Sequence, residues 1–203
     1  MISGIVLAAG ASSRMGQAKA ALPAGSTGET VVARVIRTLR EGGLPRVVVV
    51  AGAHIDAVRL AMPAHESRAR LIEHPGWDQG QLSSLLAGLA AIDEPQLEAA
   101  MVTLVDVPLV SASTVATVIA EWRRTRAPIV RPANGARHGH PVIFDRSVFT
   151  DLRAADLNTG AKAVFASHQD RVLNVEVQDP GAFEDIDTPE DYKRVLGLTR
   201  SGS

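Results

Sequence analysis

Two cations and two carboxylates in this chain have the types and settings to do chemistry. Arg14 and Lys19 follow a short apolar run and the small residues Gly10-Ala11-Ser12-Ser13, with Gly16 between them. An arginine offers a planar fork matched to phosphate oxygens, and a lysine a mobile point charge. Small residues let backbone N–H groups come close to a bound anion. The same residues also suit a plain strand-to-helix turn with two solvated cations. Asp106 ends a buried apolar run and precedes Val107-Pro108. It either satisfies turn amides or holds a metal. Asp187 precedes Thr188-Pro189-Glu190-Asp191. An aspartate there is often a helix cap. Thr188 can take that position instead, with Pro189 at N1 and Asp191 at N3, close to a capping box. Asp187 is then left outside the helix with its oxygens uncommitted. Two carboxylates from separate strand ends, facing a phosphate loop, suit Mg²⁺, which takes one or two carboxylates plus phosphate oxygens and water.

His138-Gly139-His140 is the one cluster among six histidines. The pair lacks companions for a transition-metal site. A loop lining a substrate pocket is the favoured reading, and a solvated loop the plain one. His54, His65, His74 and His168 read as surface or core residues.

Positioning these groups needs a sheet whose strand ends converge. Gly4 to Ala8 reads as a buried first strand. Val47 to Val50 are consecutive valines, as expected of a strand covered on both faces. Further strands are expected at 70–73, 99–105, 172–177, and at 128–131 and 141–144 around a polar loop. Helical spacing predicts helices over 30–41, 55–62, 80–92, from Ser111 or Ser113 through Trp122, near 147–153 and 159–167, and over 189–196. This alternation predicts a single three-layer α/β/α, Rossmann-like domain over residues 1–198, with a mostly parallel sheet, and a flexible tail at 199–203. In such sheets ligands bind at the carboxyl ends of the strands.

Composition narrows the function classes. The 203-residue chain has no cysteine, which excludes disulfides, thiolate catalysis and cysteine-held metal. Its net charge of −1 and 3% aromatic content argue against nucleic-acid partners. No apolar run approaches the roughly 20 residues of a membrane span, and no signal peptide is evident. A cytoplasmic setting is the expectation.

The motifs together resemble the MobA-like nucleotidyltransferases, and within them the molybdenum cofactor cytidylyltransferases. "LAAGASSRMGQAKAALP" resembles L-A-A-G-x-S-x-R-M-G-x-x-K-x-L-L-P, with Ala21 in place of a leucine. "GQLSSLLAGL", "LVDVPLV", "RHGHPVIF" and "DIDTPEDY" resemble four later motifs in the same order. Asn158-Thr159-Gly160-Ala161-Lys162 departs from G-D-x-G-A-R: the aspartate is gone and a lysine replaces the arginine. The resemblance covers nearly the whole chain.

It implies a transfer of CMP from CTP to a phosphorylated acceptor, most of all the molybdopterin-type cofactor, with loss of pyrophosphate. Arg14, Lys19 and Asp106 become the catalytic residues. Leu7, Ala8, Ala9, Gly10 and Ser84 join those three around the nucleotide. His138, His140 and Lys162 face the acceptor, Asp106 and Asp187 hold Mg²⁺, and a molybdoenzyme or its chaperone is the implied protein partner. Guanylyl transfer and sugar- or polyol-phosphate cytidylyl transfer are rivals on the same fold. Ala9 separates this chain from guanylyl-transferring relatives, which usually read L-A-G-G. From other classes come a nicotinamide-using oxidoreductase, against which the missing G-x-G-x-x-G counts, and a silent cofactor-binding module.

Overall fold

The computed structural model describes residues 1–64 and 66–196; His65 and the expected tail at 199–203 lie outside the described residues. A sheet of eight strands forms the middle layer. Strands β1 (Ile2–Ala8), β2 (Val47–Ala51), β3 (Ala69–Glu73) and β4 (Ala99–Leu104) run parallel, in the order β3–β2–β1–β4. Beyond β4 the sheet continues through β7 (Val142–Asp145), β5 (Ile129–Asn134) and the two-residue β6 (Arg137–His138). β7 lies antiparallel to both β4 and β5. β8 (Val172–Glu176) pairs parallel to the other edge of β5. The strands expected at 128–131 and 141–144 are present. The polar loop between them contains β6, so His138 belongs to a short hairpin strand paired with Ala133.

Apolar side chains of alternate parity cover the two faces, because successive strand residues point to opposite sides. Val47 and Val49 join one core and Val48 and Val50 the other. The first face carries α1 (Val31–Glu41), α2 (Ile55–Ala61), α4 (Ala112–Thr125) and α7 (Pro189–Leu196). The second carries α3 (Gln81–Ile92), α5 (Phe149–Ala154) and α6 (Lys162–Ser167). The result is the expected three-layer arrangement. Thr30 caps α1 by accepting from the Ala33 N–H at 3.2 Å. Ser111 caps α4 in the same way through Thr114, so the cap is Ser111 rather than Ser113. No described helix is long and apolar enough to cross a membrane.

The segment between β8 and α7 is clamped onto the start of α4. Asp179 accepts from the Thr114 hydroxyl at 2.6 Å, the Ser111 hydroxyl at 2.8 Å and the Ser111 N–H at 2.9 Å. Gly181 lies so close to the chain after β4 that an added Cβ would stand 2.1 Å from the Leu109 carbonyl oxygen. A backbone atom cannot rotate aside as a side chain does. Gly181→Ala is therefore expected to destabilise the fold by about 1–3 kcal/mol, the usual cost of overpacking. The measurement is the urea unfolding midpoint, which falls while the slope is unchanged. A midpoint equal to that of the wild type would show that the clamp is loose.

Candidate active site

The carboxyl ends of β1 and β4 open onto one site. Past Ala9 and Gly10 the chain turns tightly, and the Met15 and Gly16 N–H groups both donate to the Ser12 carbonyl at 2.9 and 3.0 Å. Met15 is buried and anchors the turn in the core. His54, expected at the surface or in the core, holds the same loop through a ring-nitrogen contact of 2.8 Å to the Ala11 carbonyl. A 3-10 turn over Lys19–Ala21 then aims Lys19 back beneath the loop.

Lys19 meets both carboxylates. Its Nζ lies 2.6 Å from Asp187 Oδ1 and 3.3 Å from Asp106 Oδ2. Arg14 reaches the other oxygen of Asp187 at 2.7 Å. The Lys19 side chain is 12% exposed and that of Arg14 67%, so lysine is the inner cation and arginine the outer one. Asp187 oxygens are thus committed to two cations, against the expectation that they are free. The capping reading does hold. Thr188 Oγ1 accepts from the Asp191 N–H at 3.1 Å, and Asp191 accepts from the Thr188 N–H at 3.0 Å. That box leaves Asp187 outside the helix. The Ile186 N–H donates to the Asp106 carbonyl at 2.8 Å, which sets the two aspartates side by side.

The two carboxyls differ electrostatically. Burial pushes Asp106 upward, and nearby Lys19 only partly offsets it, with the charges of Asp187 and Asp185 adding to the rise. The Lys19 hydrogen bond holds Asp187 below the usual carboxylate range against some burial, with help from the charges of Lys19 and Arg14. Asp106 Oδ1 is sealed from solvent and has no hydrogen-bond partner. A buried acceptor with no donor fits a cation better than an apolar wall does. Among the described residues, no three His, Asp or Glu side chains gather into a self-sufficient metal site. A hard cation here would complete its shell with oxygens of a bound phosphate and water.

Two adjoining cavities lie at this end of the sheet, and only the first is lined by residues of this knot. The first, about 370 Å³, is lined by Leu7, Ala8, Ala9, Gly10, Lys19, Ser84 and Asp106 among others. Arg14 and Asp187 stand outside that lining and reach it through Lys19. The second, about 690 Å³, lies on the α3–α6 face of the sheet and includes His138, His140 and Lys162. Leu7, Gly80, Gln81 and Leu104 line both. Gly80 adopts φ +99° at the start of α3, a conformation that side-chain-bearing residues rarely take, and so lets the backbone form the shared wall.

Sequence reasoning missed Trp77, Asp78 and Gln81 in the first cavity and Arg131 and Phe165 in the second. One signal was available for the first group. Trp77 is one of two tryptophans and sits in the glycine-flanked stretch Gly76-Trp77-Asp78-Gln79-Gly80.

The family profile of the MobA-like NTP transferase domain matches residues 4–172. The nicotine blue oxidoreductase of Paenarthrobacter nicotinovorans is 30% identical, over 96% of this chain and 96% of that protein. The molybdenum cofactor cytidylyltransferase of Escherichia coli (strain K12) is 26% identical, over 93% and 92%. A probable molybdenum cofactor guanylyltransferase of Mycobacterium avium (strain 104) is 33% identical, over 68% of this chain and 66% of its own. Among solved structures, Rv0371c from Mycobacterium tuberculosis H37Rv superposes with a TM-score of 0.80 at 28% identity, covering 98% of this chain and 99% of that one. A second structure, Rv0371c in complex with manganese, gives 0.74 at 29% identity over the same shares. The profile spans most of the chain and takes in the opening loop and the residues lining both cavities, so this protein belongs to the MobA-like NTP transferase family.

Proposed function

We propose that this protein transfers CMP from CTP to a phosphorylated acceptor of the molybdopterin type and releases pyrophosphate. The observation that carries the reading is the pair of adjoining cavities, with Lys19 and Asp106 lining the first and the imidazole and ammonium groups of His138, His140 and Lys162 lining the second. The nucleotide fills the first cavity and the acceptor the second. An oxygen of the acceptor phosphate bonds to the α-phosphorus, and the bond from that phosphorus to the bridging β-phosphate oxygen breaks. The nucleophile is already an anion, so the protein has no proton to remove. Its work is alignment and electrostatics.

Lys19 exchanges a carboxylate for the β- and γ-phosphates and stabilises charge on the leaving pyrophosphate. Arg14, at the mouth, grips the triphosphate in a bidentate fashion. Asp106 and Asp187 are the residues to hold Mg²⁺, which when bound supplies charge neutralisation and Lewis acidity at the phosphates. The manganese complex of Rv0371c supports a divalent cation in this fold. Ala9 puts a methyl group on the first cavity's wall and favours the smaller cytosine ring over guanine.

The test is calorimetry with CTP, GTP, ATP and NADH in the presence of Mg²⁺, followed by pyrophosphate release with a molybdopterin acceptor. CTP should bind at least about tenfold more tightly than GTP, the discrimination that a clash of about 1.4 kcal/mol gives. Equal binding of GTP would remove the cytidylyl assignment. Binding of NADH alone would move the protein into the class named for its nicotine blue relative.

A further inference from the structure

The second cavity is built for more than a phosphate. Twenty residues line it and none is an aspartate or glutamate. Arg131, on β5, lines it as well. Its Nε donates to Asn174 Oδ1 at 2.9 Å, and its guanidinium lies 5.1 Å from the Phe165 ring centroid. Among the described residues Arg131 has no carboxylate partner within ion-pair distance. A half-buried guanidinium without an anion is costly to keep, because hydration is lost and nothing replaces it. Burial does press its pKa down. Fixing Nε also leaves the terminal N–H groups of the fork as the ones not held by Asn174.

The surroundings describe what the fork would meet. Phe144 and Phe165 pack edge to face at 5.7 Å and give the cavity an aromatic side. His140 forms part of the wall, with Nδ1 sealed and unpartnered, and burial pushes its pKa down against the backbone of Val102. His138 is pushed the same way by burial and by Arg131, while Glu176 opposes this from outside the lining. Arg131 and Lys162 are the arginine and the lysine of the lining. β5 lies two strands from β4, roughly 10 Å across the sheet from the wall shared with the nucleotide cavity.

We infer that Arg131 is a specificity-determining residue that grips a planar, anionic group of the acceptor at the end remote from the transferred phosphate. The acceptor class is then a flat ring system carrying an acidic edge at one end and a phosphate at the other. This rests on reading the second cavity as the acceptor chamber.

A pair of dyes tests it without any transfer reaction. 8-Anilinonaphthalene-1-sulfonate is a planar aromatic anion, and N-phenyl-1-naphthylamine is its uncharged counterpart. Each is titrated by fluorescence into the full chain, with CTP and Mg²⁺ present to fill the first cavity. Arg131→Met should weaken the anionic dye on the order of 10–100-fold, the range for a lost charge-assisted contact. It should leave the neutral dye within about twofold. Arg131→Lys should recover part of the loss, and Asn174→Ala should give a smaller loss by freeing the fork. Unchanged binding of the anionic dye to Arg131→Met overturns the inference. An equal loss of both dyes also overturns it, since that reports a collapsed cavity rather than a missing charge. Absence of pyrophosphate release would defeat the transfer reaction and leave the dye result standing.

Discussion

Lys19→Ala should turn over on the order of 10²–10³-fold more slowly than the wild type in a single-turnover assay with CTP, Mg²⁺ and acceptor, while CTP affinity changes only a few-fold. In the resting protein Lys19 is already satisfied by Asp187 at 2.6 Å and Asp106 at 3.3 Å. Ground-state phosphate must compete with those carboxylates, so little net binding is gained. As pyrophosphate departs its charge grows, and the lysine contact strengthens with it. An interaction that strengthens in the transition state raises turnover rather than affinity. The magnitude is that of losing one preorganised donor. Arg14→Ala should differ by harming affinity and turnover together, because its mostly exposed fork gives up one carboxylate contact rather than two when it turns to a ground-state phosphate. The same Lys19 variant leaves two carboxylates side by side without their shared cation. Nucleotide-free Lys19→Ala should therefore bind Mn²⁺ measurably more tightly than the wild type, read by loss of the free-ion electron spin resonance signal. Normal turnover by Lys19→Ala would remove the residue from the reaction.

Asp106→Asn should cost more than Asp187→Asn. The substitution keeps the shape and deletes the charge. Asp106 is the more enclosed of the two and holds the unpartnered Oδ1. Loss of several kcal/mol of charge stabilisation corresponds to roughly 10³-fold in turnover. CTP-dependent Mn²⁺ binding should weaken in parallel, measured by the same resonance titration. Asp187 is already shared with Arg14 and stands nearer solvent, so its amide variant should lose less in both measurements. If Asp187→Asn proves the more damaging, the assignment of the inner ligand is reversed.

Much of the frame was legible because its signals are local. Four consecutive valines specify a doubly covered strand, and Thr188-Pro189-Glu190-Asp191 specifies a helix start whose box is formed as read. The insertion of β7 between β4 and β5 was not legible. Alternating apolar residues reveal a strand but carry no information about its neighbours or its direction. The ion knot was hidden for a related reason. Lys19 was readable as a cation and Asp106 and Asp187 as candidate ligands, but which charges meet depends on how β1, β4 and the segment before α7 are stacked. Arg131 was overlooked because one arginine in a strand looks the same whether it faces solvent or a cavity. Only the fold shows that, among the described residues, no carboxylate came to meet it.

The hydrogen bond from the Ile186 N–H to the Asp106 carbonyl has a consequence for dynamics. It ties the inner carboxylate's backbone to a segment anchored by the Asp179 clamp and by the fully buried Ile186 side chain. A short segment of this kind opens locally only by giving up that anchoring, at a cost below that of global unfolding. Each opening would carry Asp187 away while both cavities keep their walls, so the molecule would cycle between assembled and disassembled charge centres while remaining folded. The exchange rate of the Ile186 amide proton is the clock of that cycle. A ligand that binds only the assembled centre must slow it in proportion to its occupancy.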